Sequence, residues 1–245
     1  MLRRDFLRQS GTASIALFGA ASLSRARAGD PAQTGSAGHA PLDGSKKNPI
    51  RVAFMVGAGT NVIDLAGPWE VFGDTMPPTP GGEMSMPFAN YTVGPGTDVL
   101  EMAGGLKLVP NFSVKNAPQP HVIVVPAHHA TKESVAWLRS ASADTDVTMS
   151  VCTGAFQLGK AGLLEGLRAT THHEFWDDFA KAYPKVSLER GVRFVDNGHI
   201  ATAGGLTSGI DLALHVVARY YGADVAAATA KYMEYSSERW QGSGA

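Results

Sequence analysis

The chain has 245 residues, 44% hydrophobic and 18% charged, with 21 basic and 22 acidic side chains and a single cysteine. Its near-neutral balance, without a basic cluster, excludes a nucleic-acid surface, which needs concentrated Lys and Arg. One cysteine excludes an intrachain disulfide, so the thiol is either buried or put to use.

Residues 1–28 read as a cleaved export signal. Arg3-Arg4-Asp5-Phe6-Leu7 is a twin-arginine pattern, Gly11 to Leu23 is apolar and small, and Ala26-Arg27-Ala28 offers an A-x-A cleavage site. The apolar stretch is shorter than the roughly 20 residues needed to span a bilayer. The expectation is twin-arginine export to the periplasm, with no membrane association after cleavage. Cleavage removes five basic residues and one acid, leaving 16 basic against 21 acidic and a net charge near −5. Residues 29–48, rich in Gly, Ala, Ser and Pro, read as a flexible leader. Residues 49–235 suit one domain with a sizeable core. Residues 236–245 are polar and read as a tail trailing over the surface.

Within the domain, Ile50 to Val56 reads as a first strand, too apolar to be half exposed. A helix follows over Asp64 to Phe72, with Asp64 as N-cap and Pro68 in the first turn. Met76 to Met86 is a Pro- and Gly-rich loop. Pro87 to Val93 reads as a strand, and Val99 to Leu108 as short strands around Gly104-Gly105. His121 to Val125 is a strong strand, then Ala127-His128-His129-Ala130 leads to a helix from Lys132 to Ser140. Val147 to Val151 is a buried strand, and a helical pattern opens directly after Cys152 and Gly154. Arg168 to His173 is extended and a helix runs from Glu174 to Ala182. Asp196-Asn197-Gly198 marks a hairpin. Gly204-Gly205 leads to a helix over Ser208 to Tyr221, and Asp224 caps a last one. Strands 50–56, 121–125 and 147–151 alternate with helices, which predicts an α/β fold with a doubly wound, mostly parallel sheet. Such sheets bind ligands beyond their carboxyl edge, where Asp64, Ala127 to His129 and Cys152 all follow strand ends.

Cys152 sits at a turn between strand and helix, a cysteine counterpart of the nucleophile elbow. A helix N-terminus favours an anion, so the thiol is expected to titrate below about 8. Asp64 is the acid/base beside it. An ionised Asp64 pushes the thiol up, so a low value also requires Asp64 to be protonated or turned away. His128, His129, His172 and His173 do not read as a metal site, because adjacent residues seldom point at one centre; one of them tuning the thiol or binding substrate is a better reading than a metal, and surface or core packing is the other alternative. Glu70 reads as structural.

Val151-Cys152-Thr153-Gly154-Ala155, Gly159-Lys160-Ala161-Gly162-Leu163-Leu164-Glu165-Gly166 and Arg168-Ala169-Thr170-Thr171-His172 resemble the DJ-1/PfpI superfamily, of the class I glutamine amidotransferase-like, flavodoxin-like fold. Asp64 to Phe72 and Gly204-Gly205-Leu206-Thr207-Ser208-Gly209-Ile210-Asp211 fit its branch of isonitrile hydratases and AraC-type sensor domains. The resemblance implies Cys152 as nucleophile, Asp64 as acid/base and Thr153 as donor to the reacting group. Ala127, His128, Gly154 and His172 form the implied substrate-binding and oxyanion set. Where the family usually shows Pro-Gly-Gly, this chain has Pro126-Ala127-His128-His129, and Ala resists the φ > 0 that Gly allows. The expected activity is hydration of a small electrophile, an isonitrile to an N-substituted formamide. The partners expected are that small molecule and a second copy of the chain, without nucleic acid, metal or cofactor. The alternatives are another cysteine hydrolase or glyoxalase-like enzyme, and a non-catalytic ligand or oxidation sensor.

Overall fold

The computed structural model describes residues 39, 41–44, 47, 49–79 and 85–242. The export signal and most of the leader therefore lie outside the described residues. Eleven strands and six α-helices are present among those described. In chain order they are β1 (Ile50–Met55), α1 (Val62–Asp74), β2 (Phe88–Gly94), β3 (Leu100–Glu101), β4 (Lys107–Leu108), β5 (Phe112–Ser113), β6 (Val122–Val125), α2 (Lys132–Ser142), β7 (Val147–Val151), α3 (Gly154–Lys160), β8 (Arg168–Ala169), α4 (Trp176–Ala182), β9 (Ser187–Leu188), β10 (Phe194–Asp196), β11 (Ile200–Ala203), α5 (Ser208–Tyr221) and α6 (Ala223–Tyr232).

Seven strands form one sheet in the order β10-β11-β7-β6-β1-β2-β5. All neighbours are parallel except β10–β11, the hairpin turned by Asn197-Gly198. The chain leaves β1 for β2 on one side and returns to β6 on the other. That reversal is the topological switch point, where a crevice opens beyond the carboxyl ends. The central strands are buried on both faces, which is why β6 reads Val-Ile-Val-Val without alternation. On one face, Phe54, Phe72, Val151, Leu212 and Leu214 join the sheet to α1 and α5. On the other, Ile123, Val125, Leu138, Leu158 and Phe179 join it to α2, α3 and α4. No helix among the described residues is long and apolar enough to cross a membrane.

Three local expectations are corrected. Helix α1 starts at Val62, because Asn61 caps it by accepting the Ile63 N–H at 3.2 Å. Asp64 is therefore inside the first turn rather than the cap, and Pro68 is a helix-interior proline. Asp224 is likewise in the first turn of α6, whose N-cap is Gly222 at φ +89°. The C-terminal stretch does not trail over the surface: Trp240 is 3% exposed and packs in the core beside α5. Ser237 donates to Asp211 at 3.0 Å and holds the segment in place. A single large aromatic in a polar stretch carries no periodicity, so its burial is invisible in sequence. At the other end, Leu42 donates its N–H to the Arg219 carbonyl at 2.8 Å, and Lys47 pairs with Asp146 at 2.6 Å.

Candidate active site

The site forms where the loops after β1, β6, β7 and β11 meet. Cys152 follows β7 directly and takes φ +59°, a left-handed conformation that costs a non-glycine residue about 1 kcal/mol or more. Three contacts hold it there. Its N–H donates to the Gly204 carbonyl at 2.8 Å, its carbonyl accepts the Thr171 hydroxyl at 2.9 Å, and α3 starts two residues later. Gly154 is required by close approach: a Cβ there would lie 1.9 Å from the Val125 carbonyl oxygen. Its place is to let α3 press on the end of β6, and so to set the elbow.

The loops after β1 and β6 are laced together. Asn61 N–H donates to the Ala127 carbonyl at 2.9 Å, and His129 N–H to the Ala58 carbonyl at 3.0 Å. Gly57 makes room for this, since a Cβ would meet the His129 carbonyl at 2.6 Å and the His128 ring at 2.8 Å. The lacing aims the Ala127 N–H at Asp64 Oδ2, 3.2 Å away. Ala127 is not among the residues with positive φ, so the departure from Pro-Gly-Gly brings no strain. Its N–H serves the carboxylate, however, and not an oxyanion at the thiol.

Asp64 is completely buried, and its Oδ1 has no hydrogen-bond partner. Burial raises its pKa to about 6, against the opposing pull of the Ala127 N–H, the Cys152 thiol and the Leu206 N–H. Cys152, 7% exposed, sits beside it. Burial first, and the Asp64 charge second, push the thiol up to about 11, with the N–H groups of Thr153 and Leu206 opposing. The expected depressed thiol is thus overturned. The sequence signal was a helix start, but a seven-residue helix cannot offset desolvation and a neighbouring carboxylate. Thr153 faces the sulfur through its backbone N–H.

The histidines divide. His128 is buried, its Nδ1 closes on the Pro126 carbonyl at 2.8 Å, and Gln157 donates to its carbonyl at 2.9 Å. Burial lowers its pKa to about 4, so the ring is neutral. The charges acting on it are those of His129 and Lys160, and it braces the β6 loop. His172 lies over Gly205, where a Cβ would be 2.1 Å from its Cδ2, and it stacks on His173 at 4.4 Å. Among the described residues, no three His, Cys, Asp or Glu side chains cluster to hold a metal. Glu70 lies six residues along α1 from Asp64, roughly 9 Å of helix rise away.

Two contributors escaped the reading of single residues. Thr171 holds the elbow carbonyl, and Leu206 brings its backbone N–H to both reacting groups. Leu206 lies in the Gly204 to Asp211 stretch that carries the family resemblance, but the local signal for its conformation is the glycine pair before it. Two glycines mark a close turn but not its target.

The DJ-1/PfpI family model matches residues 50–219, which span β1 to the last turn of α5 and every residue of the site. The chain belongs to the DJ-1/PfpI family. Its similarity to the isonitrile hydratase of Pseudomonas putida is 30% identity over 194 residues, covering 76% of this chain and 79% of that protein. The transcriptional regulator GbdR of Pseudomonas aeruginosa is 28% identical over 140 residues, which are 55% of this chain and 38% of the regulator. Among solved structures, a ThiJ/PfpI family protein from Pseudomonas syringae superposes with a TM-score of 0.67 at 27% identity, over 78% of this chain and 76% of that one. The matched stretch includes the Cys152 elbow, Asp64 and the Pro126-Ala127-His128 turn alike.

Proposed function

We propose that this DJ-1/PfpI protein is a cysteine-dependent hydratase that converts an isonitrile to its N-substituted formamide. The observation that carries the reading is the Cys152–Asp64 pair. A thiol on a left-handed elbow adjoins a buried carboxyl with one unpartnered oxygen. At neutral pH the pair starts as thiol and carboxylate, since their values are about 11 and about 6. Asp64 then acts as base. It takes the thiol proton as Sγ attacks the terminal carbon, and returns that proton to the same carbon, giving an S-linked thioimidate. Water adds its hydroxyl to that carbon and a proton to the nitrogen. Collapse of the adduct releases the formamide, and the hydroxyl proton returns to sulfur. No metal or redox partner is needed for the atoms to balance. The likeness to the Pseudomonas putida enzyme supports the substrate choice.

The test is turnover of a panel of alkyl and aryl isonitriles by the purified protein beside Cys152→Ala. Formamide from the wild type alone supports the reading; stoichiometric adduct without turnover overturns it. The rival reading is an oxidation sensor, in which Cys152 becomes a sulfenic or sulfinic acid and nothing is turned over.

The same proposal places the mature chain in the periplasm as a homodimer. N-terminal sequencing of periplasmic material is expected to begin at or near Gly29, and light scattering to give twice the protomer mass. A cytoplasmic chain that keeps Met1 overturns the first.

A further inference from the structure

A second cavity lies at the far end of α5 from the nucleophile. Helix α5 starts at Ser208, beside the site, and ends at Tyr221, fourteen residues or roughly 20 Å along. There the chain turns through Gly222 into α6. A cavity of about 450 Å³ opens between the two helices, the His39–Pro41 end of the leader and the C-terminal segment. That volume is in the range of small-molecule pockets. Pro41, Ala218 and the nearly buried Trp240 give it apolar walls.

Most polar side chains of the cavity are already engaged. His215 faces Asp196 Oδ2 at 2.9 Å and the Trp240 carbonyl at 3.3 Å. His39 Nε2 meets the Asp196 carbonyl at 2.9 Å. Arg219, which also lines the cavity, is different. Its side chain is only 9% exposed, and its contacts run through Nη1: 2.7 Å to the Gly198 carbonyl, 3.3 and 3.5 Å to the two Asp196 oxygens. Its Nε is buried and has no partner. A buried donor without an acceptor destabilises a fold, so it calls for a reason. The Nε–Nη2 edge is a side of the guanidinium fork that can grip a carboxylate with two parallel bonds. A second set of donors stands beside it. Helix α6 has ten residues, its N-cap is Gly222, and no side chain caps it, so its first-turn N–H groups at Ala223 border the cavity. The Asp196 charge is met on its own side by Nη1, His215 and the Gly198 N–H at 2.7 Å.

We propose that this cavity binds a small organic monocarboxylate, its carboxyl group held by the free edge of Arg219 and the N–H groups that open α6, its apolar body against Trp240. A single guanidinium already shared with Asp196 suits one negative charge better than a phosphate dianion. The apolar walls suit an organic body better than a bare ion.

The test titrates benzoate into the purified, ¹⁵N-labelled protein and follows backbone amide shifts. Saturable shifts are expected at Gly222, Ala223 and Gln241, which line the cavity, with a Kd of about 1 mM or tighter. Benzamide, the same shape without the charge, should bind about tenfold more weakly or worse, and so should inorganic phosphate. Arg219→Lys keeps a cation for Asp196 but loses the fork, and should weaken benzoate about tenfold. Ala223→Pro removes one N–H at a first helical position, where proline is tolerated, and should weaken it about threefold. Benzamide or phosphate binding as tightly as benzoate overturns the proposal. So do shifts confined to the Cys152 elbow, or an affinity unchanged by Arg219→Lys. If Arg219→Lys does not fold, Ala223→Pro decides: a loss of affinity there supports the site, and an unchanged affinity overturns it.

Discussion

Two buried aspartates mark the two ends of this molecule's chemistry. Asp64 lies at the carboxyl edge of the sheet and Asp196 at the β10–β11 hairpin, and both are almost fully inaccessible. Burial raises the pKa of both, yet they end on opposite sides of the usual carboxylate range. Asp196 accepts from His215 at 2.9 Å, from Arg219 at 3.3 Å and from the Gly198 N–H at 2.7 Å, and these partners hold it below that range despite desolvation. Asp64 has only neutral donors, the Ala127 and Leu206 N–H groups and the thiol, so desolvation wins and it rises to about 6. The charge on the donors, not their number or the depth of burial, separates a structural carboxylate from a reactive one. His215 illustrates the structural end further. Its two nitrogens face two acceptors, Asp196 Oδ2 and the Trp240 carbonyl, so it ties the hairpin to the C-terminal segment.

Exchanging the two acids for neutral residues is the sharpest way to break this comparison. Asp64→Asn should lower kcat by about 10²-fold or more, the scale of general acid–base catalysis, because the amide cannot accept and return the proton. Asp196→Ala should leave kcat within about threefold. Steady-state rates on both variants check the pair, and equal losses would erase the distinction.

Stability should divide them the other way. Asp196→Ala leaves the buried Arg219 charge with the Gly198 carbonyl but no carboxylate, and breaking a buried pair costs about 3 kcal/mol. For a chain of this size that lowers Tm by roughly 10 °C. Asp64→Asn should instead raise Tm at pH 8 by roughly 5 °C, because it removes a charge that costs more folded than unfolded.

The pH dependence follows with opposite signs. The folded-state pKa of Asp64 is raised, from 3.8 to about 6, so the native state binds the extra proton between those values. Wild-type stability from this group falls as pH rises through 4 to 6, and the Tm advantage of Asp64→Asn should vanish near pH 4. The folded pKa of Asp196 is lowered, so its stabilisation is present above the unfolded value of 3.8 and is lost as pH falls below it. Thermal melts from pH 3 to 8 test both. In kinetics, kcat/KM should rise with a midpoint near 6 as Asp64 ionises, and that limb should disappear in Asp64→Asn.

The smallest expected effect is on the thiol itself. Removing the Asp64 charge should lower the Cys152 pKa, since that charge is the second cause of its elevation after burial. Alkylation of Asp64→Asn at pH 8 should therefore run about threefold faster, more thiolate being offset in part by weaker nucleophilicity. A variant slower in turnover yet faster in alkylation would separate the catalytic role of Asp64 from any role in folding the site.

Much of this protein was legible in its sequence because the signals were local. Apolar runs without alternation located β1, β6 and β7, and Asn197-Gly198 located the hairpin, each within a residue or two. Strand-to-helix punctuation placed Cys152 at an elbow and Asp64 near it, since ligand sites in a parallel sheet lie beyond its carboxyl ends. The protonation of the pair was decided only by tertiary structure. A pKa sums burial and partners from every element packed around a group, and Asp64, Ala127, Cys152 and Leu206 follow four different strands. The same reason hid the burial of Trp240 and the left-handed turn at Leu206. Local sequence specifies which conformations are cheap; the expensive one at Leu206 is imposed by Gly204 bonding to Cys152 and by the ring of His172 pressed on Gly205.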